Sequence, residues 1–373
     1  MAIHMTAGNR LRDYTLTTDM TASDAGTSMW AFAEKDGFDF FVKCYLSPVF
    51  PDPQGPGTEK SKRRKRARCV AFETRMNRVE EILQSCGDAA FLVRSTDFFR
   101  EDGSYFKVTK KIHPSPTEVW TFPARKQLLV LLSAAYALKV LHQNSNFIHA
   151  DIKPENFLVQ RVGVGTIANL IDFDAGFFIG SPPLAEEQVG DPSYSAPEMI
   201  TWVSQEPESR PKRKPALLQA LDIFSLGLTF CKYLSGTLPE YPGGYAYPGE
   251  AVLDGIRLQA PEPKRPHLAA LKGLIDRMLD PNPLCRPNAS WVHEQLRNFN
   301  RAQYVSETTY RRIAASLKQG LSAGGKALRE RLLPAQAKAV CPNSTNLRLR
   351  GLKAAQGKKI SPLVKPFRFG KKE

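Results

Sequence analysis

The sequence has little of what marks membrane and secreted proteins. Its longest apolar stretch, Leu128 to Leu141, is interrupted by Ser133 and Lys139, and no apolar run reaches the about 18 uninterrupted residues typical of a membrane-spanning helix. Six cysteines are scattered along 373 residues without a CxxC pair. Such spacing favours reduced thiols over a disulfide framework or a zinc site. We therefore expect a cytoplasmic protein without a transmembrane segment.

Acidic residues are nearly missing from the C-terminal fifth of the chain. Residues 301–373 hold 17 of the 52 Lys and Arg residues but only 3 of the 37 Asp and Glu residues, so they carry most of the formal net charge of +15. Pro, Gly and Lys follow Leu333 without a core pattern. We predict that 301–373 is a basic, largely disordered tail. Its charge suits a docking partner or an anionic surface, and nucleic acid is a further candidate.

The remaining residues show the patterns of strands and helices. Alternating apolar and polar residues predict strands over 14–17, 29–33 and 38–45, with a tight Asp36-Gly37 turn between the last two. A second hairpin is predicted from 91–100 and 105–109. Apolar residues at helical spacing predict one helix from Cys69 to Leu83 and another from Pro123 to His142. The basic run 60–68 is interpreted mainly as the solvated start of the first helix.

The most informative stretch is residues 147–158. It contains Asp151, Lys153 and Asn156, and a further carboxylate, Asp172, follows sixteen residues after Asn156. Phosphoryl transfer uses these side-chain types: a carboxylate to orient the acceptor hydroxyl, a cation beside the transferring group, and oxygen ligands for Mg²⁺. The stretch therefore predicts a phosphotransferase site.

Two motifs here resemble those of a known family. The pattern His149-x-Asp151-x-Lys153-Pro-x-Asn156 resembles the catalytic loop of eukaryotic-type Ser/Thr protein kinases, and Asp172-Phe173 resembles the start of their metal-binding motif. Later, Gly190 to Glu198 resembles the end of their activation segment. The resemblance implies an α+β, two-lobed kinase-like fold. It assigns 11–112 to a small β-rich N-lobe with one main helix and 113–300 to a larger helical C-lobe.

The resemblance also implies roles for individual residues. Asp151 and Lys153 become the catalytic residues, Lys43 contacts the phosphates of ATP, and Asn156 with Asp172 binds Mg²⁺, for which Mn²⁺ is an alternative. Lys153 points to Ser or Thr of a protein substrate as the phosphate acceptor.

The first predicted helix should also supply a carboxylate that pairs with Lys43 and helps to bind ATP. Glu73 and Glu80 are the candidates, seven residues apart and nearly on one helix face. Glu73 is favoured because it lies nearer the helix middle. Glu80 stays open because it suits the short distance to the next strand.

Other positions match structural features of kinases. The resemblance implies that His149 packs beneath Phe173, that Asp222 holds the backbone of the catalytic loop, and that Glu198 pairs with Arg286. It also implies that Thr109 guards the adenine pocket and that residues 110–112 form the hinge.

The chain departs from the kinase pattern at four places. The turn Thr21 to Ser28 has a single glycine, Gly26, where a Gly-rich loop usually covers the phosphates. Ala150 replaces an arginine that normally reads an activation-loop phosphate, Asp191 replaces a threonine, and Asp174 replaces a glycine. We interpret Asp174 as a turn residue rather than a further metal contact. These departures support the alternative that the chain is a pseudokinase scaffold, which binds nucleotide and partner proteins without turnover.

Overall fold

The N-terminal part of the protein is a six-stranded antiparallel sheet. A computed structural model describes residues 5–22, 28–87, 91–114, 118–162, 165–183, 190–204 and 217–303. The strands follow the order β1-β2-β3-β4-β6-β5 across the sheet. They are β1 (Arg10–Leu11), β2 (Tyr14–Leu16), β3 (Ser28–Lys35), β4 (Phe38–Tyr45), β5 (Ser95–Glu101) and β6 (Ser104–Lys110).

Both predicted hairpins form. Lys35 pairs with Phe38 across the β3–β4 turn, where Asp36 and Gly37 have φ angles of 54° and 78°. Such positive angles suit Asp-Gly and fit the right-handed twist of the two strands. In the second hairpin, β5 begins at Ser95 rather than at residue 91 as predicted.

The two faces of the sheet have different environments, because successive side chains of a strand point to opposite faces. On β4, Phe40, Val42 and Cys44 lie in a buried apolar cluster that also contains residues of β1 and β2. Tyr45 instead packs with Cys69 of the following helix. Lys43 has the same parity as Tyr45 and therefore lies on the helix-facing side.

Helix α1 (Glu59–Ser85) crosses this second face. The sequence predicted an apolar helical repeat over 69–83 and the basic run 60–68 as the start of the same helix, and the helix indeed begins at Glu59. Thr58 caps the true N-terminus by accepting a hydrogen bond from the Ser61 N–H at 3.2 Å. Lys and Arg are good helix formers, so the basic run 60–68 forms the first turns of the helix.

The C-terminal part is mainly helical. Its central helix, α2 (Ala124–Asn144), agrees with the predicted 123–142 to within two residues, and 11 of its 21 residues are buried. Two antiparallel strand pairs follow it: the hairpin of β8 (Phe157–Val162) with β9 (Gly165–Leu170), and the pair of β7 (Phe147–Ile148) with β10 (Phe177–Phe178), which encloses that hairpin in the sequence. The remaining elements are α3 (Pro197–Val203), α4 (Ala220–Ser235), α5 (Pro248–Leu253), α6 (Lys272–Met278) and helical residues 289–303.

Together the sheet with α1 and the helical part give the predicted α+β, two-lobed kinase-like fold. The largest apolar cluster joins α2, α4 and the β8–β9 pair, and Val79 and Leu83 of α1 belong to it. The described residues fall within one unit, Met1–Tyr310. In the described ranges no helix has both the length and the apolar character needed to cross a membrane. The predicted tail, 301–373, lies outside the described residues beyond position 303.

Candidate active site

Asp222 of α4 fixes the backbone of the catalytic loop. Its Oδ2 accepts the His149 N–H at 2.8 Å, and its Oδ1 accepts the Ala150 N–H at 2.9 Å. His142 of α2 makes a further 2.9 Å contact with Oδ2. The Asp222 carboxylate is fully buried, so these contacts replace its lost hydration. The loop is therefore anchored directly before Asp151, as the sequence predicted.

Asp151 lies at the centre of a hydrogen-bonded cluster. Lys153 Nζ is 3.1 Å from its Oδ2, and Asn156 donates to the same oxygen at 2.7 Å. The other oxygen, Oδ1, accepts the backbone N–H of Asp191 at 3.0 Å. Lys153 and Asn156 thus both contact Asp151, and together with the Asp191 N–H they give its carboxylate three donors that hold it in one orientation.

The pairing of β8 with β9 brings Asp172 to the same place. Phe157 pairs with Leu170, and one residue further the Ile171 N–H donates to the Asn156 carbonyl at 2.9 Å. Asn156 directly precedes β8 and Asp172 follows β9 closely, so both residues lie at the same end of the β8–β9 hairpin. Asp172 has a φ of 59°, an uncommon left-handed conformation that costs a non-glycine residue about 1 kcal/mol or more.

His149 packs edge-on against Phe173, the residue after Asp172, with 5.1 Å between the ring centroids. This is the predicted contact. It buries Phe173 and holds the turn that carries Asp172.

Lys43 contacts carboxylates of this turn and not a glutamate of α1. Its Nζ lies 3.1 Å from both oxygens of Asp172 and 2.7 Å from Oδ2 of Asp174. Among the described residues, neither Glu73 nor Glu80 comes within ion-pair distance of Lys43. The predicted pairing of Lys43 with a helix glutamate is therefore absent from this structure.

The direction of the two glutamate side chains explains this correction. Glu73 accepts a 2.6 Å hydrogen bond from the Tyr105 hydroxyl and pairs with Arg100 at 3.3 Å, so it lies over the β5–β6 hairpin. Glu80 accepts hydrogen bonds from the backbone and the hydroxyl of Ser95. Both carboxylates thus bind the sheet away from Lys43.

Asp174 has a larger role than the predicted turn residue. It does lie in a short 3-10 turn, but its carboxylate is buried between two lysines. Oδ1 is 3.2 Å from Lys107 Nζ, while Oδ2 contacts Lys43. Its backbone carbonyl accepts a 2.8 Å hydrogen bond from Arg75 of α1. Sequence reasoning missed Lys107 and Arg75. Strand alternation was the available signal for Lys107, because Tyr105, Lys107 and Thr109 lie on the same face of β6, the face toward α1.

These contacts shift the protonation equilibria of the ion pair. Burial acts to raise the pKa of Asp174, but the charges of Lys107 and Lys43 outweigh it and hold that pKa well below the ordinary value. Burial likewise acts to lower the pKa of Lys43, and the charges of Asp174 and Asp172 outweigh it and raise that pKa. Asp174 and Lys43 are therefore both charged at neutral pH.

The donor set suits a hard cation. Across the described part of the chain, no cluster of three or more His, Cys, Asp or Glu side chains is placed to hold a metal. The candidate ligands are one carboxylate, Asp172, and one amide oxygen, that of Asn156, whose amide nitrogen already donates to Asp151. Mg²⁺ typically binds through one or two protein oxygens and completes its shell with phosphate and water, so these residues fit it.

The activation-segment motif is tied to the same loop. Gly190 approaches it so closely that an added Cβ would lie 3.3 Å from the Ala150 carbonyl. The Asp191 side chain caps the following turn by accepting the Ser193 N–H, so only its backbone reaches Asp151. Further on, Glu198 and Arg286 form the predicted ion pair, with two contacts of 2.7 and 3.0 Å.

An aromatic surface lies on the helix-facing side of the sheet, beside Lys43. Trp30 pairs with Lys43 in the β3–β4 register, and its ring stacks on Phe41 with 5.7 Å between centroids. Thr109 pairs with Phe41 on the next strand. The predicted Thr21–Ser28 lid cannot be compared because 23–27 lie outside the described residues.

Comparisons with known proteins agree with this site. The family described as "Protein kinase domain" matches residues 59–297. Calcium-dependent protein kinase 21 of Oryza sativa subsp. japonica is 32% identical over 171 residues, which cover 45% of this chain and 28% of that protein. The ovarian-specific serine/threonine-protein kinase Lok of Drosophila melanogaster is 28% identical over 173 residues, 44% of this chain and 34% of Lok. The chain thus spans about a third of the length of these relatives.

Among solved structures, the PknI kinase domain of Mycobacterium tuberculosis aligns with a TM-score of 0.50 and 18% identity, covering 80% of this chain and 99% of that one. At such low identity this likeness concerns the fold alone. The family match begins at Glu59 and so excludes β4, the strand that carries Lys43; the structure places Lys43 at the site through its contacts with Asp172 and Asp174. Since the match spans more than half of the chain, the protein belongs to the protein kinase family, as a divergent member whose curated relatives include serine/threonine-protein kinases.

Proposed function

We propose that the protein transfers the γ-phosphoryl group of Mg-ATP to Ser or Thr hydroxyls of a protein substrate. The observation that carries this proposal is the convergence of Asp151, Lys153 and Asn156 with Asp172 and Lys43 at one end of the β8–β9 pair. A scaffold that only binds partners has no need to keep all five.

In this proposal each side chain has a defined task. Asp151 accepts the proton or orients the hydroxyl of the acceptor, and its fixed orientation serves that purpose. Lys153, 3.1 Å from Asp151, balances negative charge on the transferring group. Lys43 binds the α- and β-phosphates. Asn156 and Asp172 hold Mg²⁺, which when bound neutralises phosphate charge.

The nucleotide base has a candidate surface in the same cleft. Trp30 and Phe41 are half-buried, and they lie on the side of the sheet that carries Lys43. Aromatic rings stack favourably on a purine. The base would lie there beside Thr109, while the hinge at 110–112 offers backbone groups.

Phosphate transfer from labelled ATP tests the proposal. The full chain is incubated with Mg²⁺ and a generic basic protein, and wild type is compared with Asp151→Asn and Asp172→Asn. We expect transfer to Ser or Thr by the wild type and a loss of about 100-fold or more in either variant. Asp254→Asn, an exposed change in the C-lobe, is the matched control and should behave as wild type.

The alternative proposal is a pseudokinase scaffold. Two observations favour it. Asp174 is already neutralised by its two lysine partners, and Asp172, the proposed metal ligand, is already paired with Lys43. A folded wild type without transfer would support it, and a rise in melting temperature with Mg-ATP would then report nucleotide binding.

The basic segment 301–373 is proposed to dock an acidic partner in either case.

A further inference from the structure

Two largely buried lysines face each other on the sheet beside the candidate site. Lys43 of β4 and Lys107 of β6 are direct partners in the strand register, and their side chains are only 19% and 9% exposed. Like charges directly opposite each other on neighbouring strands repel, and a buried ammonium group needs a counter-charge. The pair therefore depends on an anion placed between the two amines.

Asp174 supplies that anion from the other lobe. Its carboxylate contacts Lys43 Nζ at 2.7 Å and Lys107 Nζ at 3.2 Å through different oxygens. The turn that carries it is held on both sides: Phe173 packs on His149, and Arg75 donates to the carbonyls of Asp174 and Gly176 at 2.8 and 3.2 Å. The carboxylate is thus fixed relative to both lobes.

Helix α1 contributes a cation to this network and no carboxylate. Arg75 binds the backbone of the turn, whereas Glu73 and Glu80 are engaged by Tyr105 and Ser95. Lys43 also contacts Asp172, but a metal ion would compete for that carboxylate. Asp174 is the partner that stays available to Lys43 when Asp172 binds metal.

We propose that Asp174 is the positioning residue of Lys43, in place of a glutamate from α1, and that Lys107 completes the pair by fixing the second carboxylate oxygen. The value of this arrangement for phosphate transfer rests on the proposed function. One consequence is that the orientation of Lys43 does not depend on a carboxylate of α1. The helix acts on the site through Arg75 and the backbone of the turn.

A double-mutant cycle with Asp174→Asn and Lys43→Met in the full chain tests the pairing. We expect Asp174→Asn to lower kcat/KM for ATP about 10- to 100-fold, since small misplacements of a positioning group have effects of this size. In the Lys43→Met background, Asp174→Asn should lower kcat/KM for ATP by less than about threefold. Effects that simply multiply would overturn the proposal, as would a larger loss in Glu73→Gln than in Asp174→Asn.

Loss of the carboxylate also leaves the two lysines facing each other, so Asp174→Asn is compared with Asp174→Asn/Lys107→Met. The double variant removes the repulsion but not the loss of positioning. We expect it to recover melting temperature and not kcat/KM. Recovery of both would show that Asp174 serves the fold alone and would overturn the proposal.

A readout that needs no nucleotide separates this proposal from the proposed function. The amine of Lys43 is labelled with an acylating reagent and its rate of modification is measured by mass spectrometry. We expect the rate to rise several-fold in Asp174→Asn and to stay near the wild-type rate in Glu73→Gln. If the wild type neither binds nor turns over Mg-ATP, the proposed function fails. Equal labelling of wild type and Asp174→Asn would overturn the positioning role by itself.

Discussion

Asp222 and Ala150 are joined by a 2.9 Å hydrogen bond across 72 residues of sequence, from the Ala150 N–H to Oδ1 of the buried carboxylate. Ala150 has a φ of 62°, which a non-glycine residue adopts only when its surroundings hold it there. The same carboxylate accepts the His149 N–H. The backbone directly before Asp151 is therefore held by α4, in addition to the contacts that Asp151 makes within the loop.

Replacing this carboxylate should damage both stability and activity. We expect Asp222→Ala to lower the free energy of unfolding by about 3 kcal/mol, because two buried backbone N–H groups lose their acceptor at about 1–3 kcal/mol each. Urea unfolding measures the loss. Asp254→Ala, an exposed site, should change the stability by less than about 0.5 kcal/mol; equal losses in both variants would contradict the anchoring role.

Gly176 is required for space, not for backbone freedom. Its φ of −72° is ordinary, but an added Cβ would lie 2.1 Å from Phe147 Cζ and 2.8 Å from the Ile148 carbonyl oxygen. We expect Gly176→Ala to destabilise the protein by roughly 1–3 kcal/mol and to displace Asp174, whose turn ends at Gly176. Thermal unfolding and the transfer rate measure the two effects.

A second glycine provides the control for this prediction. Gly273 lies in α6, and an added Cβ there meets no atom within 4 Å. Gly273→Ala should therefore stabilise the helix by about 0.5–1 kcal/mol. If Gly176→Ala were as harmless as Gly273→Ala, the close contact with Phe147 would not exist in solution.

The ion pair between Glu198 and Arg286 should be sensitive to the removal of one partner. Both side chains are buried, and Arg286 also donates to the carbonyls of Ala220 and Asp280. Arg286→Ala leaves Glu198 as an unpaired buried charge, which typically costs about 3–5 kcal/mol. We expect Glu198→Gln combined with Arg286→Met to be more stable than Arg286→Ala in denaturant unfolding. A double variant that is the less stable of the two would contradict a charge-based explanation.

The large lobe was the easier part to predict from sequence. Its site residues lie in one short segment, so spacing alone brought Asp151, Lys153 and Asn156 together, and Asp222, Glu198 and Arg286 followed from the resemblance. The structure shows the contacts of Asp222 with the catalytic loop and of Glu198 with Arg286. Their partners in the structure agree with the predictions.

The partner of Lys43 could not be predicted in the same way. Glu73 and Glu80 have the expected spacing on α1, but the phase of the helix directs both toward the sheet, and phase depends on packing rather than on local sequence. The available signal was Asp174 in place of a glycine. This signal indicates a partner for Lys43 only when Lys107 is known to lie opposite Lys43. The register between β4 and β6 cannot be read from the sequence of either strand alone.

The activation segment provides a prediction about regulation. Ala150 replaces the arginine that would bind a phosphate of the activation segment, and its methyl group is buried, so a phosphate there lacks this usual partner. We expect Ser181→Asp, at an exposed position, to change the transfer rate less than about twofold. A strong activation would show that another cation reads this segment.

The basic C-terminal segment should affect the choice of substrate more than the fold. The described core ends with helical residues 289–303, which contribute Val292 and Leu296 to the large apolar cluster, so a truncation must keep them. We expect a chain of residues 1–310 to unfold at the same denaturant concentration as the full chain and to bind Mg-ATP equally well.

The phosphate-transfer rate of the truncated chain on acidic protein substrates should fall, while its rate on basic ones should stay the same or rise. The reason is that 17 Lys and Arg lie in 301–373 and attract acidic partners. Raising the salt concentration should reduce the difference between the two chains, since salt screens this attraction. A truncated chain that unfolds earlier would show instead that residues beyond 310 stabilise the kinase fold.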